Sequence, residues 1–243
     1  MRKTDRRTDV ATPRTDHGAP AAASPRGEID AFLEAARSVA PPAAEAQGRL
    51  VFALDATMSR QPTWDLACSL QAEMFDAAAR AGGLSVQLVY FRGVSETRAS
   101  KWVADARRLG AMMERIDCRG GRTQIRRVLS HTAAEAAERP VAAMVYVGDC
   151  MEEDVDDLCA RAGELALRGV RAFMFHEGGD PAAARAFREI ARVTGGVYLP
   201  FDARAAAELK ALLGAVATYA AGGRKALEAA RTPAARRLLS DMR

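Results

Sequence analysis

Three oxygen-bearing side chains occupy alternate positions directly after an apolar run in the sequence. They belong to Asp55, Thr57 and Ser59, and the apolar run covers residues 50–54. A carboxylate and two hydroxyls offer only oxygen ligands, which hard cations such as Mg²⁺ prefer. In the competing interpretation, Asp55 ends a strand while Thr57 and Ser59 cap the following helix. These three residues alone leave both interpretations open.

The apolar run before Asp55 predicts a buried strand, because its apolar residues follow one another without polar alternation. Five further strands are predicted, and helical patterns separate most of them. The six strands cover residues 50–55, 84–91, 94–99, 141–147, 170–175 and 197–201. This alternation predicts an α/β fold, a doubly wound and mostly parallel six-stranded sheet with the polar segment 94–99 as an antiparallel edge strand.

The helices between these strands carry recognisable boundary signals. Asp180 followed by Pro181 predicts a helix start, because Asp caps free N–H groups and proline suits the first turn. Further helices are predicted over residues 102–116, 125–136, 155–166 and 205–220.

A Rossmann-like strand order, 3-2-1-4-5-6, places the first strand beside the fourth. The first strand ends at Asp55, and the fourth ends near Asp149. In open α/β sheets, ligands bind outside the carboxyl ends of the strands at such a switch point. Thr123 lies in the loop whose helix leads into the fourth strand, so this loop can reach the same crevice.

These motifs resemble the metal-ion-dependent adhesion site (MIDAS) of a von Willebrand factor type A (VWA) domain. The resemblance rests on Asp55-x-Thr57-x-Ser59, Gly120-Gly121-Arg122-Thr123 and Gly148-Asp149. It implies that Asp55, Thr57 and Ser59 hold a divalent ion directly or through water. It also implies that Thr123 and Asp149 approach from two other loops, and that the ion keeps an open position for an acidic group of a partner protein.

The sequence departs from the family pattern at three places. Thr57 stands where the family has serine, and Arg122 separates the glycine pair from the threonine. The acidic run Glu152, Glu153 and Asp154 adds negative charge that could tighten metal binding or compete for the open position. For Glu153 and Asp154 we expect the acid-rich, solvated N-terminus of a helix.

The predicted function is a metal-ion-dependent protein-interaction domain that binds Mg²⁺ (or Mn²⁺), and not an enzyme. Because the hydroxyl ligands are neutral, the ion keeps affinity for a carboxylate of a protein partner. A metal-assisted phosphohydrolase, similar to the haloacid dehalogenase-like phosphatases, is the first alternative, but it needs a second carboxylate where Thr57 stands. The second alternative is a scaffold with a vestigial metal site that works through its terminal segments.

The predicted domain organisation has four parts. Residues 1–27 form a disordered basic N-terminal tail, 28–47 a short amphipathic helix and linker, 48–222 the VWA domain, and 223–243 a basic C-terminal tail. Residues 1–27 carry six Lys or Arg against three Asp or Glu, and residues 224–243 carry six against two. The net charge of +4 therefore comes from the tails, and nucleic-acid binding is not expected of the body.

The remaining composition predicts a cytosolic protein. No apolar run approaches the roughly 20 residues that span a bilayer, and the polar N-terminus lacks the apolar core of a secretory signal. The Ala- and Arg-rich composition indicates a bacterial origin, and the oligomeric state is not predicted. None of the four cysteines forms a close pair, so no disulfide is expected. Cys118 and Cys150 fall in loops and are predicted as accessible thiols.

Three other residues near the motifs have two interpretations each. Trp64 is either an aromatic anchor for a partner at the rim of the crevice or a buried packing residue. The pair His176-Glu177 follows the fifth strand and is either structural or in contact with a ligand. His131 is expected at the surface or at the edge of the core.

Overall fold

The computed structural model describes residues 48–57, 65, 74–78, 80–201 and 206–242. These residues belong to the compact unit Pro42–Arg243. The predictions for residues 1–47, for Ser59 and for Trp64 lie outside the described residues.

Six strands form a single sheet in the described part of the chain. They are β1 (Gly48–Asp55), β2 (Leu84–Arg92), β3 (Glu96–Ala99), β4 (Ala143–Gly148), β5 (Arg171–Glu177) and β6 (Val197–Phe201). The strand order is β3-β2-β1-β4-β5-β6, and only β3 is antiparallel to its neighbour. The predicted fold class, strand order and edge strand are confirmed.

Helices connect and cover these strands. They are α1 (Ala106–Met113), α2 (Ile125–Glu138), α3 (Val155–Leu167), α4 (Pro181–Thr194), α5 (Ala206–Ala230) and α6 (Pro233–Asp241). Residues 74–78 are helical as well. Helix α4 starts as predicted, with the Asp180 side chain accepting a hydrogen bond from the N–H of Ala182 and Pro181 in the first turn. No described helix is long and apolar enough to cross a lipid bilayer.

The central strands β1 and β4 are buried on both faces, and their side chains alternate between two cores. Leu50, Phe52 and Leu54 of β1 pack in one core with apolar residues of α1, α5 and α6. Val51 and Ala53 point to the other face and pack with apolar residues of α2, α3 and α4. This two-sided burial explains why β1 reads as a continuous apolar run.

The predicted helical start at residue 102 is wrong. Val103 forms an isolated antiparallel bridge with Val86, and both backbone N–H···O bonds of the bridge are made, at 2.7 and 2.9 Å. Helix α1 begins only after Asp105, whose side chain accepts a hydrogen bond from the N–H of Arg107 at 2.8 Å. Val103 therefore buries its side chain and forms its backbone hydrogen bonds beside β2 instead of in a helix.

The segment after Gly223 is helical and contributes apolar side chains to one of the two cores. Gly223 has a φ of 68° and a ψ of −165°, which breaks α5 into two arms. Beyond this kink, Leu227 and Leu238 are fully buried in the core that contains Leu50, Phe52 and Leu54 of β1. A basic tail was predicted for this segment, and its burial in the domain core was not expected.

Cys118 is 5% exposed and lies in the core, so the prediction that it is an accessible thiol is wrong. Cys118, Cys150 and Cys159 form no disulfide with one another. Among the described cysteines, the expected lack of disulfides therefore agrees with the structure.

Candidate metal site

The crevice at the carboxyl ends of β1 and β4 is the switch point of the sheet. The two strands are parallel neighbours, with Leu54 opposite Val147, so Asp55 and Gly148 end at the same edge. From β1 the sheet continues to β2 on one side, and from β4 it continues to β5 on the other side. The connections leave in opposite directions and open a space between the two strand ends.

Asp55 is held in a fixed orientation at the end of β1. Its Oδ1 accepts a hydrogen bond from the N–H of Thr57 at 2.8 Å, and the residue is 2% exposed. The N–H of Ala56 donates to the carbonyl of Phe91 at 2.9 Å, which keeps the chain in register with β2 for one residue more. Thr57 is buried in the same turn. The alternating positions thus produce a tight Asx-type turn.

Asp149 and Cys150 meet Asp55 across the crevice. One ligand atom from each of the three side chains lies within 4.8 Å of the others. The Oδ1 atom of Asp149 is buried and forms no hydrogen bond with the residues that the structure describes. The sequence motifs predicted that Asp55 and Asp149 converge, but they did not include Cys150, whose only signal is its position directly after Asp149.

The electrostatic environment of this cluster disfavours further negative charge. Burial, together with the nearby carboxylates of Asp149 and Asp55, raises the pKa of the Cys150 thiol to about 12. Two carboxylates close together in a partly buried crevice repel each other, and a cation bound between them would remove this repulsion.

His176 contacts the backbone of the Asp149 loop. The ring is 1% exposed, and burial lowers its pKa, so the neutral form is favoured. In that form, Nε2 donates to the carbonyl of Asp149 at 3.3 Å, and Nδ1 accepts from the Tyr198 hydroxyl at 2.8 Å. These contacts support the structural interpretation of His176.

Gly148 allows the chain to pass over an aromatic ring just before Asp149. A Cβ atom at this position would lie 2.7 Å from the Tyr146 ring and hydroxyl. Tyr146 is itself fixed by a stacked contact with Phe91 and an edge contact with Phe187. A side chain at residue 148 would therefore displace the start of the Asp149 loop.

The loop that bears Thr123 is bonded to both other loops of the site. The Thr123 hydroxyl accepts from the N–H of Glu152 at 3.0 Å, and the Thr123 N–H donates to Oε2 of Glu152 at 3.2 Å. The N–H of Arg119 donates to the carbonyl of Ala56 at 3.0 Å. Three chain segments that are distant in sequence are thus joined around the crevice.

The extra residue Arg122 is accommodated at the hairpin between β2 and β3. Its N–H donates to the carbonyl of Gly93 at 3.0 Å, while its side chain is exposed. Gly121 packs directly on the backbone of Gly93, where a Cβ atom would overlap the carbonyl oxygen. Thr123, which follows, is 6% exposed and faces the loop of Glu152. Arg122 therefore points outward and leaves Thr123 inside.

The three acidic residues that follow Asp149 have different roles, and Glu152 forms the hydrogen bonds with Thr123 described above. Asp154 caps its own helix α3 by accepting from the N–H of Asp157 at 2.9 Å, as expected of a helix start. Glu153 instead caps α2, accepting from the N–H groups of Ile125 at 2.6 Å and Arg126 at 3.0 Å. The prediction that Glu153 belongs to a solvated helix start is wrong, because it fills the uncapped N-terminus of a neighbouring helix.

Comparisons with known proteins identify the fold. A von Willebrand factor type A protein from Catenulispora acidiphila superimposes with a TM-score of 0.59 at 18% identity over 73% of this chain. The pilus adhesin SpaC from Lactobacillus rhamnosus GG, in its open conformation, superimposes with a TM-score of 0.58 at 11% identity over 72% of this chain. Proximal thread matrix protein 1 from the mussel byssus, solved with a zinc-occupied MIDAS motif, superimposes with a TM-score of 0.53 at 14% identity over 72% of this chain.

The chain spans 43%, 30% and 47% of the lengths of these three structures, respectively. No protein-family model and no curated protein sequence matches this chain. The likeness is therefore one of structure, and it shows that the chain has the fold of a VWA domain.

Proposed function

We propose that this chain is a cytosolic, metal-ion-dependent protein-interaction domain. It binds Mg²⁺ or another divalent cation in the crevice between β1 and β4 and engages an acidic group of a protein partner there. The observation that carries this proposal is the convergence of Asp55, Asp149 and Cys150, whose ligand atoms lie within 4.8 Å of one another at the switch point.

The donor set fits a divalent cation. Asp55, Thr57, Ser59, Thr123 and Asp149 are the proposed ligands, directly or through water. The buried Oδ1 of Asp149 has no hydrogen-bond partner in the described part of the chain, and leaving such an atom unsatisfied costs about 1–3 kcal/mol or more. A bound cation would satisfy this oxygen and supply a Lewis-acidic position for a carboxylate from outside.

An acidic partner is also favoured by two exposed arginines in the loop that precedes Thr123. Arg119 and Arg122 flank the glycine pair, both side chains are exposed, and neither forms a side-chain hydrogen bond or ion pair with the residues described here. Arginine binds carboxylates through two parallel hydrogen bonds, and it retains its charge at any physiological pH. A partner segment with several carboxylates that extends from the crevice to the β2–β3 hairpin would therefore meet both the ion and these guanidinium groups.

One structural relative holds an ion in its own MIDAS motif. The mussel byssus protein carries a zinc-occupied MIDAS motif, and the Lactobacillus rhamnosus protein is an adhesin. Both share the fold alone with this chain, so metal binding and partner binding are proposed here on the strength of the crevice itself.

Binding is proposed instead of catalysis because no carboxylate stands two residues after Asp55. An aspartate nucleophile of the phosphohydrolase type needs a second carboxylate two residues later. Thr57 occupies this position, and its N–H is bonded to Oδ1 of Asp55. Steady hydrolysis of an aryl phosphate that is lost in Asp55→Asn would contradict this part of the proposal.

Calorimetric titration with Mg²⁺, Mn²⁺ and Zn²⁺ tests the metal site. Wild type should bind at least one of these ions with 1:1 stoichiometry, whereas Asp55→Ala and Asp149→Asn should lose about tenfold or more in affinity. Asp156→Asn is the matched control, because Asp156 is an exposed carboxylate in the first turn of α3.

A pull-down with and without EDTA then tests the partner. Specific partners should be captured by wild type and Asp156→Asn in the presence of the metal, and lost with EDTA or Asp55→Ala. Capture that persists in EDTA but is lost when residues 1–27 are deleted would favour a scaffold with a vestigial metal site.

A further inference from the structure

We propose that Cys150 is itself a ligand of the bound ion and shifts the preference of the site from Mg²⁺ towards zinc-like cations. This inference rests on the proposed function, since it requires that an ion binds between the loops. It departs from the all-oxygen ligand set that the sequence motifs imply.

The geometry allows the sulfur and both carboxylates to share one ion. In a tetrahedral zinc site, a thiolate sulfur and a carboxylate oxygen lie about 3.5 Å apart. The donor atoms of Asp55, Asp149 and Cys150 all lie within 4.8 Å of one another. These separations exceed those of a zinc site by roughly 1 Å at most, a difference that small side-chain movements can close.

A second observation points to a cation in the same place. Oδ1 of Asp149 is fully buried in the crevice and forms no hydrogen bond to any described residue, although the backbone of Asp149 is fixed by His176. Buried carboxylates in proteins are normally paired, hydrogen-bonded or bound to metal ions. The thiol of the next residue lies within reach of whatever satisfies this oxygen.

The chemistry of the donors selects the ion. Thiolate ligands favour Zn²⁺ and similar borderline cations, whereas carboxylate, hydroxyl and water oxygens suit Mg²⁺ and Mn²⁺. A set with one sulfur and two carboxylates combines both classes. On binding, the thiol proton is released to the solvent and the sulfur–metal bond takes its place, so affinity for thiophilic ions should depend on Cys150 while affinity for Mg²⁺ should not.

Titration of the full chain with Co²⁺ and Zn²⁺ tests this directly. Co²⁺ bound to wild type should show a near-ultraviolet charge-transfer absorption that arises from a sulfur ligand, and Cys150→Ser should lack it. Affinity for Zn²⁺, measured against a chromophoric chelator, should fall about tenfold or more in Cys150→Ser, whereas affinity for Mg²⁺ should change less than about threefold. Cys159→Ser is the matched control, because Cys159 is a free, half-buried cysteine on α3.

Alkylation of wild type provides a second measurement that needs no variant. Zn²⁺ should protect Cys150 from a thiol reagent, as read by peptide mass mapping, and should leave Cys159 unprotected. Measurable alkylation of Cys150 that bound Zn²⁺ does not slow, or unchanged affinity for Zn²⁺ in Cys150→Ser, would overturn the sulfur ligand. Failure of wild type to bind any of these ions would overturn the metal site as well, which separates the two proposals.

Discussion

Thr123 and Glu152 exchange two hydrogen bonds between the second and third loops of the site. The Glu152 N–H donates to the Thr123 hydroxyl at 3.0 Å, and the Thr123 N–H donates to the Glu152 carboxylate at 3.2 Å. Together with the capping of α2 by Glu153, this pair fixes the Thr123 loop against the loop of Asp149. The position of the threonine thus depends on acidic residues that are not metal ligands.

Removal of the Thr123 hydroxyl should therefore weaken both the fold and the site. Thr123→Val keeps the shape but leaves the Glu152 N–H without its acceptor, and we expect a loss of about 1–3 kcal/mol in the free energy of unfolding. Thr123→Ser keeps the hydroxyl and should lose less than half as much. Urea unfolding of the metal-free variants measures this, and equal stability of the Val and Ser variants would contradict it.

Gly121 should be irreplaceable where it packs on the hairpin. A Cβ atom in Gly121→Ala would overlap the Gly93 carbonyl, so the loop must shift, at a cost of about 1–3 kcal/mol. In Gly120→Ala, nothing lies within 4 Å of the added atom, and stability should change little. The shift should also lower metal affinity, which calorimetry would detect, and similar behaviour of the two alanine variants would argue against this packing.

Leu238 should be essential for stability although it lies in a basic segment near the C-terminus. It is fully buried, so Leu238→Ala should cost about 2–5 kcal/mol in the free energy of unfolding. Leu167→Ala is the matched control because that side chain is 91% exposed, and its effect should stay within about 0.5 kcal/mol. A small effect at Leu238 would mean that the last helix does not pack on the domain.

The sequence was sufficient to predict the sheet and the proximity of the loops that follow β1 and β4, because both follow from the strand order. Buried runs ending in Asp55 and Gly148-Asp149 predict two strand ends, and parallel neighbours must bring them to one edge. The roles of Asp55, Thr57, Ser59, Thr123 and Asp149 as ligands stay predictions.

Other features depend on loop conformation and distant packing, which a local pattern does not encode. Cys150 enters the site only because the chain turns after Asp149. Glu153 reaches the helix start at Ile125 through space, although it lies beside a helix start of its own. The apolar residues after Gly223 are few and lie among arginines, so the segment has the composition of a solvated tail.

Glu135 should stabilise the end of the domain opposite the metal site. Its carboxylate accepts from Arg49 at 3.0 Å, Gln87 at 3.0 Å and Trp102 at 2.8 Å. Glu135→Gln leaves these donors incompletely paired, and because the group is partly exposed we expect a loss of about 2 kcal/mol. The exposed Glu138 on the same helix provides the control, Glu138→Gln, with little effect.

Metal affinity should be unchanged in Glu135→Gln, because Arg49 and Asp55 lie about 20 Å apart along β1. Unfolding in urea and calorimetric titration separate the two effects. A large loss of metal affinity without a loss of stability would contradict the assignment of this cluster to the fold.

His131 should lower the free energy of unfolding in mild acid. Burial lowers its pKa below the ordinary value of 6.5, and the opposing charge of Glu135 only partly offsets this. Its Nε2 lies 2.9 Å from Oε1 of Gln87, so the neutral ring donates to that amide oxygen. The unfolded chain therefore binds the proton more tightly, and stability is complete above about pH 6.5 and decreases as the pH falls through the unfolded value. His176, whose pKa is also lowered by burial, adds to the decrease in the same direction.

His131→Gln preserves a donor to Gln87 and should reduce the slope of unfolding free energy between about pH 5 and 7 without removing it. Denaturant unfolding at several pH values measures this slope, and an unchanged slope in the variant would show that His131 titrates alike in both states.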